Sequence, residues 1–175
     1  MLFRDLPDCG SSIAECLINL DANGVNCPHS VFEQFYAQVV NGGSHNDIYI
    51  DEFGDLDLRK LRWSIIDLPL EELISIVDTG ACVLDQYARI TSDETIYNVK
   101  SGYSVNACES YADYWNTNGT WKTPPIIMKG SDLEKTGVNY YLCDGHTRIG
   151  ILHGIATSNC FELKRSHRVY MAEML

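Results

Sequence analysis

Several things are scarce in this chain, and each scarcity removes a class of protein. No apolar stretch approaches the ~18 residues that cross a bilayer, so no membrane span is expected. Thirteen Lys and Arg stand against twenty-four Asp and Glu, a net charge of −11. General affinity for DNA, RNA or anionic lipid needs clustered cations and is therefore not expected. A Walker A loop, a dinucleotide fingerprint and a Gly-x-Ser-x-Gly elbow are all missing. There is no internal repeat and no low-complexity tract. Cysteine is not scarce, but paired spacing is: Cys9, Cys16, Cys27, Cys82, Cys108, Cys143 and Cys160 are odd in number and scattered. The first twenty residues hold Arg4, Asp5, Asp8 and Glu15 and lack the apolar core of a secretory leader. The expectation is a cytoplasmic protein with reduced thiols.

What is present suits a globular chain. Of 175 residues, 45% are hydrophobic and 10% aromatic, enough to bury a core. Residues 13–20 read as a short helix. Ser30 and Glu33 form a capping-box pair before a broad apolar face of Val31, Phe32, Phe35, Tyr36, Val39 and Val40, which predicts a helix ended by Asn41-Gly42-Gly43. Residues 46–51, NDIYID, read as a strand. Asp51, Glu52, Asp55 and Asp57 then crowd a turn without EF-hand spacing and are expected to be solvated. Residues 56–67 suit helix or strand equally, and Pro69 suits the first position of a helix over 70–77. Residues 81–90 read as helix or strand, 91–102 as a polar loop and seam, and 104–115 as a helix. Pro124-Pro125 opens a strand at 126–129. The alternation of Arg168, Tyr170 and Ala172 against Val169, Met171 and Glu173 predicts a last strand over 167–174.

The most informative stretch is NYYLCDGHTRIGILHGIAT, residues 139–157. Tyr140, Tyr141, Leu142 and Cys143 have the composition of a buried strand, and Asp144-Gly145 breaks it. Ile149, Leu152, Ile155 and Ala156 then recur at helical steps. A strand, tight turn and helix follow from this order, with Asp144, Gly145, His146, Thr147 and Arg148 at the helix start. A helix N-terminus presents amides and a partial positive charge to an anion. Gly145 permits close approach to the backbone, and Arg148 has the fork that fits phosphate. Asp144 suits either the N-cap or a ligand to a metal carried by a nucleotide. His146 is the residue here that changes charge near neutral pH. The plainer reading of the same five residues is a capped helix start with a solvated arginine.

From Pro124 onward, the order of strand PPIIMKG, strand YYLC, turn DGHTR, helix and strand HRVYMAE resembles the ParB/sulfiredoxin-like nucleotide-binding domain. The likeness covers about the last 70 residues. Its members carry a Gly-x-x-Arg-type turn between strand and helix, reading GERR in ParB proteins, GCHR in sulfiredoxins and DGHHR in free-serine kinases of that fold. The resemblance implies an α+β fold, with a ParB/sulfiredoxin-like mixed sheet and flanking helices over 99–175. Residues 1–98 would be a mainly helical extension containing the strand near 46–51. It implies a site for a nucleotide or phosphorylated small molecule, ATP, ADP or CTP with Mg²⁺. Gly145, His146, Thr147 and Arg148 would hold the ligand, Asp144 the metal, and His146 with Asp144 would serve kinase or phosphohydrolase chemistry. Two departures stand out. His146 occupies the place of the sulfiredoxin cysteine, with Cys143 three residues earlier, and Thr147 replaces the second histidine of the kinases.

Other chemistry is less well supplied. Cys143 and His146 form one close pair, with His153, Cys160 and His167 further on, whereas a structural zinc site takes two close pairs. No cysteine is placed beside a histidine as a thiol nucleophile requires. The non-enzymatic alternative is an acidic protein-binding module, inhibitor-like or immunity-like, in which the turn only starts a helix.

Overall fold

Four strands form one mixed sheet in an α+β architecture, in the order β1-β4-β2-β3. The strands are β1 (Leu61–Pro69), β2 (Ile126–Lys129), β3 (Tyr140–Asp144) and β4 (Ser166–Met174). This computed structural model describes residues 1–6, 12–40, 46–76, 114–135, 137–159 and 161–175. The chain divides into two units, Met1–Ser64 with Tyr170–Leu175, and Ile65–Val169. The seam expected between 98 and 99 lies outside the described residues, as do the readings for 81–90, for 91–102 and for most of 104–115.

The first unit is built around aromatic rings. Helix α1 (Ile13–Ala22) starts where the Ser12 hydroxyl accepts the Glu15 amide at 3.3 Å, and it buries Cys16 and Leu20. A second helix, α2, runs over residues 29–40. Its cap corrects the expected capping box. Pro28 is the N-cap, so Ser30 already lies inside the helix and Glu33 pairs with His29 at 3.2 Å. Proline fixes its own φ and readily begins a helix, which moves the start upstream of Ser30. The middle of α2, Phe32–Tyr36, is π-helical, and the wider turn brings Phe32, Phe35 and Tyr36 into the core together.

Residues expected to form a strand at 46–51 are helical instead, in α3 (Asn46–Phe53). Tyr49 and Phe53 are four residues apart and pack on Phe35 with ring centroids at 5.5 and 5.1 Å. Only helical spacing puts both rings on that one partner. Phe3 completes the cluster, 5.0 Å from Phe35 and 6.1 Å from Phe53. Such ring pairs each add about 0.5–1.5 kcal/mol beyond their area burial. The chain start is held by Phe3 N–H donating to Leu56 O at 2.9 Å and Leu58 N–H to Met1 O at 3.0 Å.

The acidic turn is less solvated than expected. Asp51 and Asp55 are exposed, but Asp55 pairs with Arg4. Asp57 accepts from Arg59 at 2.8 Å and from the Met1 amine at 3.3 Å. The Arg59 hydrogen bonds hold the Asp57 carboxyl well below the usual carboxylate range. A further correction concerns redox state: Cys16 is disulfide-bonded, whereas Cys27 and Cys143 are free thiols.

In the second unit, the short helix α4 (Leu70–Ile74) follows β1, with Pro69 as its N-cap. Residues 114–118 are helical and stop at Gly119. All but the last residue of β2 is buried, Ile126, Ile127 and Met128, the pattern of a strand covered on both faces. Helix α5 (His146–Ser158) buries Ile149, Gly150, Ile151, Leu152, Gly154 and Ile155, so it is apolar nearly all round and lies inside the unit. The strand expected at 126–129, that at 140–143 and that at 167–174 are all present. Among the described residues, no helix is long and apolar enough to cross a membrane.

Candidate functional site

The strand–turn–helix of residues 140–158 forms as its spacing predicts, and its geometry depends on an irregularity in the hairpin before it. Strands β2 and β3 are antiparallel, with Lys129 opposite Tyr140, Met128 opposite Tyr141 and Ile127 opposite Leu142. The next pair is Ile126 with Asp144, so Cys143 is an extra residue that β2 does not match. A bulge of this kind bends its strand and re-aims the residues beyond it. Asp144 is the first of those residues. The Cys143 side chain is buried in the core, 3.8 Å from the Tyr141 carbonyl.

Gly145 takes the left-handed conformation at φ +103° and is the N-cap of α5. The reading of Asp144 as the N-cap is corrected here, since Gly145 holds that position and no side chain caps the helix. The carboxylate is used elsewhere. Arg148 Nη2 donates to Asp144 Oδ2 at 2.6 Å, and both side chains are less than one-fifth exposed. Arg148 Nη1 donates to Thr123 O at 2.9 Å and to Pro124 O at 3.1 Å. The arginine expected to be either a phosphate fork or a solvated residue is therefore a clasp between the helix start and the segment entering β2.

The missing Cβ of Gly145 is also used. A Cβ there would lie 2.6 Å from Pro125 Cβ and 3.1 Å from Arg148 Nη2. Close approach to this backbone is made by the protein's own Pro125 and Arg148. His146 and Thr147, the first two helical residues, are half-buried. The structure thus brings Asp144, Gly145 and Arg148 into one contact set, with His146 and Thr147 beside them at its rim.

Among the described residues no group of three or more His, Cys, Asp and Glu side chains gathers to hold a metal. Asp144 is the single carboxylate of this turn, and one of its oxygens already faces Arg148. This donor set builds no cage for an ion held by the protein alone. A depression of about 310 Å³ lined by Lys129, Ser131, Val138, Asn139 and Tyr140 lies at the other end of the β2–β3 pair.

The sequence reading named His167 only among scattered zinc-ligand candidates, and its buried setting was missed. His167 is only 1% exposed and sits between Trp115 and Trp121, with ring centroids at 6.3 and 5.1 Å. Its Nδ1 is hydrogen-bonded to Thr120 Oγ1 at 2.9 Å, while the buried Nε2 makes no hydrogen bond of normal geometry among the described residues. Burial pushes the His167 imidazole down to about 4, outweighing a contact with the Lys164 backbone; the Lys164 charge acts in the same direction as burial. The signal was the alternation of β4, which puts His167 on the same face as Val169 and Met171.

No protein-family model, no curated protein and no solved structure matches this chain.

Proposed function

We propose that the turn of residues 144–148 binds a nucleotide or another phosphorylated small molecule, in the manner of a ParB/sulfiredoxin-like domain. The observation that carries this reading is a thirteen-residue helix that opens on a left-handed glycine with no side-chain cap, with a guanidinium beside it. First-turn amides and the helix dipole favour an anion there. Asp144 sets a condition on that anion. Its carboxylate lies 2.6 Å from Arg148 Nη2, so the pair is close to neutral and a bare phosphate would meet the charge of Asp144. A divalent ion arriving on the nucleotide, with Asp144 as one of its ligands, removes that repulsion, and Mg²⁺ bound chiefly by phosphates suits this role. Half-buried His146, at the helix start, supports a role in orienting or deprotonating an acceptor, with kinase or phosphohydrolase chemistry as the matching activity class.

The test is thermal unfolding of the purified chain with ATP, ADP, CTP, GTP and inorganic phosphate, each with and without Mg²⁺. A ligand at ~100 times its dissociation constant stabilises by about 2.7 kcal/mol. A Mg²⁺-dependent rise with one nucleotide, absent in Arg148→Ala, is the expected result. No rise with any of them in folded protein would refute the reading.

A second reading has its own observation. Helices α1, α2 and α3 contain no Lys or Arg, and Ile18 and Ile48 on α1 and α3 are 69% and 55% exposed. Acidic helices with bare aliphatic side chains suit a protein-binding module for a cationic partner. Such a module binds its partner equally well with Arg148→Ala. A cytoplasmic location accompanies the nucleotide reading, and Cys16 is the residue that tests it, because disulfides persist in oxidising compartments.

A further inference from the structure

We propose that residues 119–125 form a strap pinned at two ends, and that its His167 end releases in acid while its Arg148 end holds. At the first end, Lys164 N–H donates to Gly119 O at 3.0 Å, Trp121 Nε1 donates to Arg168 O at 2.6 Å, and Thr120 Oγ1 meets His167 Nδ1 at 2.9 Å. At the second end, Arg148 holds the carbonyls of Thr123 and Pro124 and thereby ties the strap to the start of α5. Gly119 N–H also donates to Trp115 O at 2.7 Å at the first end, and between the pins Lys122 is exposed.

His167 is the weak point of the first pin. It is buried between two indoles, and its two nitrogens have unequal partners: Nδ1 has a hydroxyl, and Nε2 has no hydrogen bond of normal geometry. A proton added to this ring finds no carboxylate among the described residues around it. The charged group that faces it is Lys164, of the same sign; Trp115, Trp121 and Thr120 on the other elements are uncharged. Lifting the strap hydrates the imidazole and restores its ordinary affinity for a proton. With an ordinary value of 6.5 and a folded value of about 4, the opening equilibrium rises roughly twentyfold between pH 7 and pH 5. Gly119 makes the close approach at this end possible, because its φ is +59° and a Cβ there would lie 2.6 Å from Glu162 O. Arg148 keeps its hold on the Thr123 and Pro124 carbonyls, so the opening is confined to the His167 end, whether or not the 144–148 turn binds a ligand.

The experiment is amide and indole hydrogen exchange by NMR on the intact chain at pH 7 and pH 5, corrected for intrinsic rates and repeated in low denaturant. The expected result has three parts. The Lys164 amide and the Trp121 indole N–H exchange faster than the Ile127 and Met128 amides, and low denaturant does not alter them. Their opening rises by the stated factor in the wild type. In His167→Gln, which keeps a polar partner for Thr120 and cannot titrate, the rise is absent. Equal protection and equal denaturant dependence for strap and strand would overturn the proposal, since the strap would then move only with global unfolding. The same pH dependence in His167→Gln would overturn it too. Should that variant not fold, Thr120→Val serves instead: it removes the hydroxyl contact, and it must raise exchange at pH 7 while leaving the strand amides slower, or the pin does not exist. Nucleotide binding does not enter these outcomes.

Discussion

Gly145 and Pro125 lie so close that a Cβ on the glycine would stand 2.6 Å from the proline Cβ. The contact adds to a backbone at φ +103°, which non-glycine residues rarely adopt. Gly145→Ala is therefore expected to lose about 2–4 kcal/mol in urea unfolding, from backbone strain and overpacking together. Gly24, at φ +75° with nothing within 4 Å, supplies the comparison. Gly24→Ala should lose only about 1–2 kcal/mol, the conformational cost alone. Equal losses at the two positions would mean that Pro125 gives way.

The Asp144–Arg148 pair should be coupled more strongly than a surface ion pair. Its side chains are 17% and 16% exposed, and the arginine also satisfies two carbonyls. A double-mutant cycle with Asp144→Asn and Arg148→Lys is expected to give about 1–2 kcal/mol of coupling, against at most about 1 for exposed pairs. Arg148→Ala should be costlier than Asp144→Asn, because it strands Thr123 O and Pro124 O as well as the carboxylate.

Two groups make stability depend on pH in separate windows. His167 has a folded value depressed to about 4 from 6.5, so its neutral form stabilises the protein above pH 6.5 and that contribution drains as pH falls towards 4. The loss is roughly 3 kcal/mol at most and should be missing in His167→Gln. Asp57 acts lower. Its carboxyl is depressed by Arg59, so its contribution is present above the ordinary carboxylate range and is lost as pH falls below it. Asp57→Asn should flatten that second limb and leave the first unchanged, as urea titrations at stepped pH will reveal.

Thiol chemistry should divide the described cysteines. Cys27 is pushed up to about 12 by burial, and Cys143 is buried on β3. Neither should react with iodoacetamide in the native protein at neutral pH, because the thiolate is the nucleophile. Cys16 should become alkylated only after reduction. Reduction should also lower the melting temperature, since a native disulfide commonly contributes about 2–4 kcal/mol. Peptide mapping by mass spectrometry reads all three, and alkylation of Cys16 without reductant would show that the bond is absent.

The turn was legible in the sequence because its signals are local: a strand-forming run, a glycine break and apolar steps of three and four. Its tertiary contacts were not, because they join residues far apart in the chain. Arg148 reaches Thr123 and Pro124 some two dozen positions upstream, and Gly145 abuts Pro125. Nothing in DGHTR states that its arginine is already engaged. The stretch NDIYID misled for a related reason. Its alternation looks extended, and the deciding fact is that Phe35, on a different helix, receives both Tyr49 and Phe53. Ser30 and Glu33 had the right spacing for a cap, but Pro28 began the helix before them. His167 was visible on the apolar face of its strand and needed only that face to be named.

Cys143 has no counterpart on β2, and α5 begins three residues after it. Successive residues of a strand face opposite sides, so this supernumerary position decides the face of the hairpin from which Asp144 departs. A relative lacking one residue between Tyr140 and Cys143 would keep DGHTR letter for letter. It would nevertheless bring Asp144 to the opposite face of the β2–β3 pair, and the same five letters would then name a different surface.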